Sequence, residues 1–365
     1  MSPSLQLRLA AIALLVSITV LSLAVFRHWK GKRTRLTPVR VQLKWKNQAQ
    51  FAGFYVAKAN KYYEAAGLDV QLLEGGLDKP AIQAVVSGTA EFGVIGPEAI
   101  LLARSRNVDV TAIAVIYQKS PFCLFTLDRY PVRKIADLKG KSVGVLYGSN
   151  ELIGYRTMLK HAGLEVRRDN IHEVLVQYDL GALRTGEVQA FPGYSIDEAD
   201  DLQEECDNAK PSNSGCNVHV LEGSDVGNFG DTLFTTGRYI ENNRSVVEKF
   251  VQATLKGWQY ALTNQPFGLS TTLDQKTDSP MNAKHQCLML KNSIGYICPG
   301  PSACKLGYMS YDQWKLLQKR LIEDALLDKD RQEDLTKAFD PEFVDRSPVV
   351  IRKDELTLGS SISCR

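Results

Sequence analysis

The sequence predicts a two-lobed α/β protein in which the chain crosses twice between the lobes. From Val39 onwards, strand-like segments alternate with helix-like segments, a pattern typical of parallel sheets with helices on both faces. The pattern occurs twice, and the apolar extended segments 121–128 and 228–236 flank its second occurrence. A chain of 365 residues is also too long for one compact core. Two crossings predict a hinged clamshell that binds its ligand between the lobes.

The predicted elements follow from the period of the apolar residues. In the first lobe we expect strands near 39–44, 69–73, 91–95 and 110–116, and helices near 52–66, 78–87 and 97–105. In the second lobe we expect strands near 142–146, 172–176 and 188–191, and helices near 151–162, 179–184 and 196–205. Helical spacing at 244–264 and 310–326 predicts helices that pack back on the first lobe. The resulting boundaries are an N-terminal segment with a basic linker at 1–37, the first lobe at 38–122 and 235–345, the second lobe with its crossings at 123–234, and a C-terminal tail at 346–365.

The N-terminal segment contains an apolar run from Leu9 to Phe26, which just reaches the length of a transmembrane helix. It can also be a signal peptide, because Ser22-Leu-Ala24 fits a cleavage site. The basic flank 27–35 favours retention in the cytoplasm, although long domains can be translocated despite local charge. We expect a membrane anchor at residues 9–26 and an extracytoplasmic domain (periplasm or secretory compartment), with a cytoplasmic orientation left open.

Charge and histidine placement exclude two classes of site. Six Lys and Arg lie in the first 35 residues without an acid, so the remaining chain has 38 basic and 41 acidic residues. This balance argues against a nucleic-acid surface. The five histidines do not cluster with cysteines, so no metal site is expected.

Four of the seven cysteines bracket short loops, Cys206 with Cys216 and Cys298 with Cys304. Such pairs predict disulfides and an oxidising compartment. The alternative is that these residues are free thiols.

The loop after the first strand is the strongest candidate for ligand contact. It places Trp45, Gln48, Gln50 and Phe51 at the carboxyl end of a strand, where open α/β sheets bind ligands. An aromatic ring can stack on a flat heterocycle, and carboxamides offer both donors and acceptors to its edge. The alternative for Trp45 is a core tryptophan, and Phe51 and Tyr55 share a helical face, so at least one of them is expected in the core.

The stretch Val41–Ala57, together with Ala90–Val94, Asp137–Gly144 and Gly186–Ala190, resembles substrate-binding proteins of ABC importers for thiamine pyrimidine precursors, riboflavin and alkanesulfonates. The resemblance extends from about Pro38 to about Leu262. It implies a periplasmic-binding-protein-like clamshell of type II. It also implies a small heterocyclic ligand, and an ABC permease or a sensory protein as partner.

Further candidate residues occupy turns at strand ends or at the crossings. For Glu98, Asp197 and Glu198 the alternative is a first-turn acid of a helix, and for Ser149 and Asn150 it is a helix cap. These candidates are Gly96, Pro97, Glu98, Ser120, Gly148, Ser149, Asn150, Tyr194, Asp197, Glu198 and Asp231.

The same domain also occurs in the eukaryotic enzyme that forms the thiamine pyrimidine, which gives the main alternative function. That resemblance implies a lysine for a pyridoxal phosphate Schiff base and a histidine one helical turn later. Ile95 and Ala99 occupy these positions here. We therefore expect a binding protein without catalytic residues or cofactor. A module that has lost its ligand and serves as a tethered interaction domain is the third possibility.

Overall fold

The computed structural model describes residues 35–146, 150–177, 180–208, 216–222, 229–277, 280–359 and 362–364. Residues 38–365 form one compact unit, and the predicted anchor at 9–26 lies outside the described residues. Within the described ranges, no helix is both long enough and apolar enough to cross a membrane.

The strands follow the predicted alternation and extend it. In chain order they are β1 (Thr37–Gln42), β2 (Leu68–Leu73), β3 (Phe92–Ile95), β4 (Thr111–Val115), β5 (Phe122–Leu127), β6 (Ser142–Val145), β7 (His172–Leu175), β8 (Phe191–Tyr194), β9 (Val218–Glu222), β10 (Thr232–Thr235), β11 (Cys304–Lys305) and β12 (Val350–Ile351).

The helices connect these strands and form most of the C-terminal third. They are α1 (Ala52–Ala59), α2 (Tyr62–Ala65), α3 (Ala81–Val86), α4 (Pro97–Arg104), α5 (Asn150–His161), α6 (Gly181–Thr185), α7 (Glu198–Asn208), α8 (Gly237–Thr263), α9 (Gln265–Leu273), α10 (Ala283–Ile297), α11 (Tyr311–Glu323), α12 (Leu335–Ala338), α13 (Glu342–Asp345) and α14 (Lys353–Gly359). Short 3-10 turns occupy Ala49–Phe51, Ile135–Leu138 and Lys329–Arg331.

The first sheet has the strand order β2-β1-β3-β10-β4. β1 and β3 are parallel, with Val41 opposite Phe92. β10 lies antiparallel between β3 and β4, so that Leu233 faces Val94 on one side and Ala114 on the other. The segment 228–236, which was expected as the return crossing, thus also contributes an antiparallel strand to the sheet that was expected to be parallel. β10 carries the chain back from the second sheet and so enters the first sheet in the opposite direction.

The second sheet region consists of an antiparallel sheet β8-β5-β9 and a parallel pair β6-β7, which meet where Ala190 pairs with Val143. The strand expected at 188–191 lies at Phe191–Tyr194 instead. Gln189 and Ala190, which precede this strand, pair with β6 instead: Gln189 N–H donates to Ser142 O, and Gly144 N–H donates to Ala190 O. Only beyond them does the chain pair with β5.

The chain passes from the first sheet to the second between Val115 and Phe122 and returns between Glu222 and Thr232. These passages separate two groups of strands in the compact unit. The lobe boundaries given above stay a prediction.

Helix α8 packs closely against α1. A Cβ atom on Gly53 would lie 2.2 Å from the Trp258 ring, so only glycine permits this approach. Phe51, just before α1, is fully buried in the same core. Phe51, which was predicted to contact ligand, therefore packs in the core. Tyr55 is buried there as well, so both residues of the pair expected to supply at least one core residue do so.

Three disulfides are present among the described residues. Cys206–Cys216 and Cys298–Cys304 are the two pairs predicted from the loops, and their Cα atoms lie 5.4 and 5.2 Å apart. The third pair, Cys287–Cys364, joins α10 to the C-terminal segment across a separation of 77 residues. No local spacing points to this pair.

Replacing Cys287 and Cys364 by alanine should destabilise the protein more than replacing Cys298 and Cys304. Loop-closure entropy gives about 4–5 kcal/mol for a separation of 77 residues and about 2 kcal/mol for a separation of 6. Denaturant unfolding of the two double variants measures the difference. Equal losses, or a larger loss for Cys298–Cys304, would show that entropy of the unfolded chain does not set the order.

Candidate functional site

A cleft of about 240 Å³ lies between the two sheet regions. The first region contributes the loop after β1, the turn before α3 and the N-terminus of α4. The second contributes the start of α5 and the end of β8. The residues that line it are Lys44, Trp45, Gln50, Gly76, Leu77, Lys79, Pro80, Ala81, Ile82, Ile95, Ala99, Glu151, Gly193, Tyr194, Asp197 and Glu198.

The loop that carries Trp45 is held by the turn after β2. Gly75 N–H donates to Trp45 O at 2.9 Å, and Asn47 N–H donates to the Glu74 carboxylate at 2.9 Å. A Cβ atom on Gly75 would lie 2.2 Å from Leu43 O, so a side chain there would displace the loop. The ring of Trp45 is half-buried: it packs on the core and also lines the cleft. It is thus placed to present part of its surface to a bound molecule.

Lys44, Tyr194 and Asp231 form the inner end of a buried polar chain. The Lys44 side chain is only 9% exposed, and its Nζ lies 3.3 Å from Asp231 Oδ1. Lys44 Nζ also donates to the Tyr194 hydroxyl and lies 4.6 Å from the centre of that ring. Although burial opposes the charge, Tyr194 and Asp231 raise the pKa of the Lys44 ammonium well above its usual value. Lys44 is therefore a fixed positive charge in this wall.

The polar chain continues through two carboxamides to a histidine. Gln50 Nε2 donates to Asp231 Oδ2 at 2.7 Å, and Gln48 Nε2 donates to Gln50 Oε1 at 2.8 Å. Gln48 Nε2 also donates to Asp197 Oδ2 at 3.0 Å, and the other oxygen of Asp197 accepts from His285 Nε2 at 2.9 Å. We call these seven residues, from Tyr194 through Lys44, Asp231, Gln50, Gln48 and Asp197 to His285, the cleft network.

Helix α10 extends the contact between the two sheet regions beyond His285. Asn292 Nδ2 donates to Asp200 at 2.6 Å, and Tyr296 and Ser195 share a hydrogen bond between their hydroxyls at 2.5 Å. Burial opposes protonation of His285, but the hydrogen bond with Asp197 raises the pKa of its imidazole above the usual value. The His285–Asp197 contact is therefore favoured in its charged form.

Acidic groups outnumber basic ones around the cleft. Burial raises the pKa of Glu98 to about 7, and burial with neighbouring Asp197 raises the pKa of Glu198 well above its usual value. Burial also raises the pKa of Asp231, against the effect of Lys44. Raised carboxyl pKa values mean that added negative charge is disfavoured here. Such a wall suits hydrogen-bond donors and amines better than anions.

The structure brings together many of the residues predicted to bind ligand. Trp45, Gln50, Tyr194, Asp197 and Glu198 line the cleft. Gln48 and Asp231 lie behind that lining as members of the cleft network.

Other predicted residues lie elsewhere. Glu98 and Ser120 line a smaller adjoining cavity. Gly96 and Pro97 are buried at the N-terminus of α4 and line neither cavity. Gly148 and Ser149 lie outside the described residues, and only the backbone of Asn150, at the start of α5, is described.

Sequence reasoning missed Lys44, Glu151, His285 and the segment 76–82. Lys44 adjoins Trp45 in the loop that was predicted to contact ligand. Because side chains alternate along an extended chain, Lys44 is expected to point away from the side chain of Leu43. His285 lies 88 residues from Asp197 and has no local signal. Among the residues that the structure describes, no cluster of three or more His, Cys, Asp or Glu side chains could hold a metal ion.

Comparison with curated proteins finds two binding proteins among the relatives. The chain is 25% identical over 315 residues to the riboflavin-binding protein RibY of Chloroflexus aurantiacus, covering 85% of this chain and 86% of the relative. It is 26% identical over 257 residues to the formylaminopyrimidine-binding protein of Halalkalibacterium halodurans, covering 67% and 72%. A synthase is also similar: the 4-amino-5-hydroxymethyl-2-methylpyrimidine phosphate synthase of Aspergillus parasiticus is 24% identical over 251 residues, covering 66% and 72%.

Among solved structures, the chain resembles the periplasmic aliphatic sulphonate binding protein SsuA from Escherichia coli. The TM-score is 0.62 at 16% identity, over 83% of this chain and 92% of that chain. This similarity establishes the periplasmic-binding-protein fold. The model of the NMT1/THI5-like family matches residues 48–266, and the chain therefore belongs to that family.

Proposed function

We propose that this protein is a solute-binding protein that captures a small, flat, nitrogen-containing heterocycle between two lobes. The observation that carries this proposal is the cleft itself, in which the half-buried ring of Trp45 lies beside the polar groups of the cleft network. A ring stacked on Trp45 would find a carboxamide at Gln50, a phenol at Tyr194 and carboxyl groups at Asp197 and Glu198. Such a combination of one aromatic surface and a few placed polar groups is typical of small-molecule sites.

The charges around the cleft favour a neutral or amine-bearing ligand over an anion. Three carboxyl groups, of Glu151, Asp197 and Glu198, line the cleft. Of its two lysines, Lys44 is paired with Asp231 and Lys79 is exposed at the rim. A sulfonate or phosphate would lose its hydration beside these carboxyl groups in a poorly solvated space, which costs binding free energy. A pyrimidine or flavin ring, with amide-like edges and N–H donors, avoids that cost. The names of the two binding relatives agree with this class of ligand.

The proposal also includes where the protein lies and which partner receives its ligand. We propose that the domain is anchored through residues 9–26, lies in an extracytoplasmic compartment, and delivers its ligand to an ABC permease or a sensory partner. The three disulfides support an oxidising compartment.

The synthase alternative requires a reactive lysine, and the cleft disfavours one. Ile95 and Ala99, at the positions where the synthases carry lysine and histidine, line the cleft as apolar side chains. Lys44 is close to the same space, but its pKa is held well above the usual value, and a protonated amine is not a nucleophile. Lys79 is exposed at the rim. We therefore propose that the protein binds its ligand without transforming it.

Substituting Trp45 by alanine should weaken binding of the heterocycle by roughly 1–3 kcal/mol, because the stacking surface is lost. Trp45→Phe should retain part of the affinity, since a smaller aromatic surface remains. Isothermal titration calorimetry on the full chain measures this with 4-amino-5-hydroxymethyl-2-methylpyrimidine, a formylaminopyrimidine and riboflavin.

The matched control is Tyr311→Ala, which removes an aromatic side chain that is 52% exposed and lines neither cavity. Its affinity should equal that of the wild type. Unchanged affinity in Trp45→Ala would remove Trp45 from the site. If the wild type binds none of the three compounds, the heterocycle-binding proposal fails, and a tethered interaction domain becomes the better account.

Adding pyridoxal phosphate should produce no Schiff-base absorbance at Lys44 and no pyrimidine product. The reason is that the Lys44 amine is held protonated by Asp231 and Tyr194. Surface lysines can react at high reagent concentration, so the absorbance is compared between the wild type and Lys44→Gln. An absorbance band that is present in the wild type and lost in Lys44→Gln would refute this prediction, as would a pyrimidine product.

A further inference from the structure

A second, smaller cavity of about 50 Å³ adjoins the cleft. Glu151 and Tyr194 line both spaces, so the two meet at the start of α5 and the end of β8. The smaller cavity runs between α5 on one side and α11 on the other. Judged by the volume that one buried water occupies, this cavity can hold a chain of about three or four water-sized groups but not a second ring.

The far end of this cavity contains polar groups that the protein itself does not satisfy. The Asp324 side chain is 2% exposed, and the imidazole of His161 lies 3.9 Å from Asp324 Oδ1, beyond hydrogen-bonding distance. Neither carboxylate oxygen of Asp324 makes a hydrogen bond, and Nη1 of Arg320 is likewise buried without one. Both residues line the cavity. A buried polar group without a partner costs roughly 1–3 kcal/mol, so this end is suited to receive hydrogen-bonding groups.

The chemistry of the lining indicates what those groups are. Asp324 and Glu98 can accept hydrogen bonds, Arg320 can donate them, and Thr157 carries a hydroxyl that can do both. The rings of Phe122 and Phe229 add apolar surface. A lining that combines donors, acceptors and apolar contacts suits a chain of C–OH groups, because each hydroxyl both donates and accepts.

A charged terminus on such a chain is disfavoured. Glu98, Glu151 and Asp324 are three carboxyl groups around the cavity, against the one guanidinium of Arg320. A phosphate would lose its hydration in this enclosed space beside three carboxyl groups. An uncharged polyhydroxyl chain has no such cost.

We propose that the ligand carries a short, uncharged polyhydroxyl chain that enters this smaller cavity while its ring lies beside Trp45. Riboflavin has this chemistry, whereas a bare aminopyrimidine has only the ring. The inference rests on the proposed function and narrows it to a heterocycle with a polyol substituent. Asp324 then serves as a specificity-determining residue at the end of the chain.

The first test compares ligands that share a ring and differ in the substituent. Calorimetry on the full chain should show that riboflavin binds at least tenfold more tightly than lumiflavin, in which a methyl group replaces the polyol chain. Riboflavin 5′-phosphate should bind more weakly than riboflavin. If lumiflavin binds as tightly as riboflavin, the polyol proposal is wrong, although binding of the ring still supports the proposed function.

The second test uses variants of the small cavity. Asp324→Asn should weaken riboflavin binding roughly tenfold or more, as expected for loss of a hydrogen bond to a charged group, and should leave lumiflavin binding unchanged. The lumiflavin measurement also shows that the variant is folded. Thr157→Val, a nearly isosteric change, gives an independent variant with the same expected selectivity.

Equal riboflavin affinity in the wild type and both variants would overturn the assignment of this cavity. Absence of binding by every ring compound, including lumiflavin and the pyrimidine, would instead overturn the proposed function. The two failures are therefore distinguishable.

Discussion

The pairing of Lys44 with Asp231 is the interaction on which the site depends. Lys44 follows β1, Asp231 directly precedes β10, and Tyr194, which accepts from Lys44, ends β8. Three chain segments from both sheet regions thus meet at one buried ammonium. Removing one partner of a buried ion pair leaves an uncompensated charge and costs about 3–5 kcal/mol in typical cases. The pair therefore fixes the geometry of the cleft as well as its charge.

The cleft network also explains how the binding groups are oriented before a ligand arrives. Gln50 is held by Asp231 and Gln48, and Asp197 is held by Gln48 and His285. Side chains that are already ordered lose little conformational entropy when a ligand binds. Two of these contacts, Lys44 with Tyr194 and Gln48 with Asp197, join residues of different sheet regions. A movement that separates Lys44 from Tyr194 and Gln48 from Asp197 would break these contacts and expose their polar groups.

The sequence allowed much of the fold to be predicted, since amphipathic period is a local property. Most of the predicted strands and helices of the first 200 residues occur within a few residues of their expected positions. The antiparallel entry of β10 was not predictable, because strand direction depends on where the chain returns rather than on local pattern. The disulfide Cys287–Cys364 was not predictable for a similar reason: the two cysteines are 77 residues apart and bracket no short loop.

The candidate site was predictable only where a single segment contributes to it. Trp45, Gln48 and Gln50 follow one strand, so their place at the strand end could be inferred. His285 reaches Asp197 from a helix that sequence analysis did not identify, and Asp324 reaches the smaller cavity from the end of α11. Whether a lysine is buried also depends on distant partners, here Asp231 and Tyr194, so the local sequence around Lys44 does not indicate its role.

The most direct test of the central claim is a crystal structure of the protein with riboflavin bound. We expect density for the ring against Trp45, between the two sheet regions, with the cleft network intact and the polyol chain directed towards Asp324. Density for the ring at another surface, or a cleft that stays without ligand when calorimetry shows saturation, would contradict it.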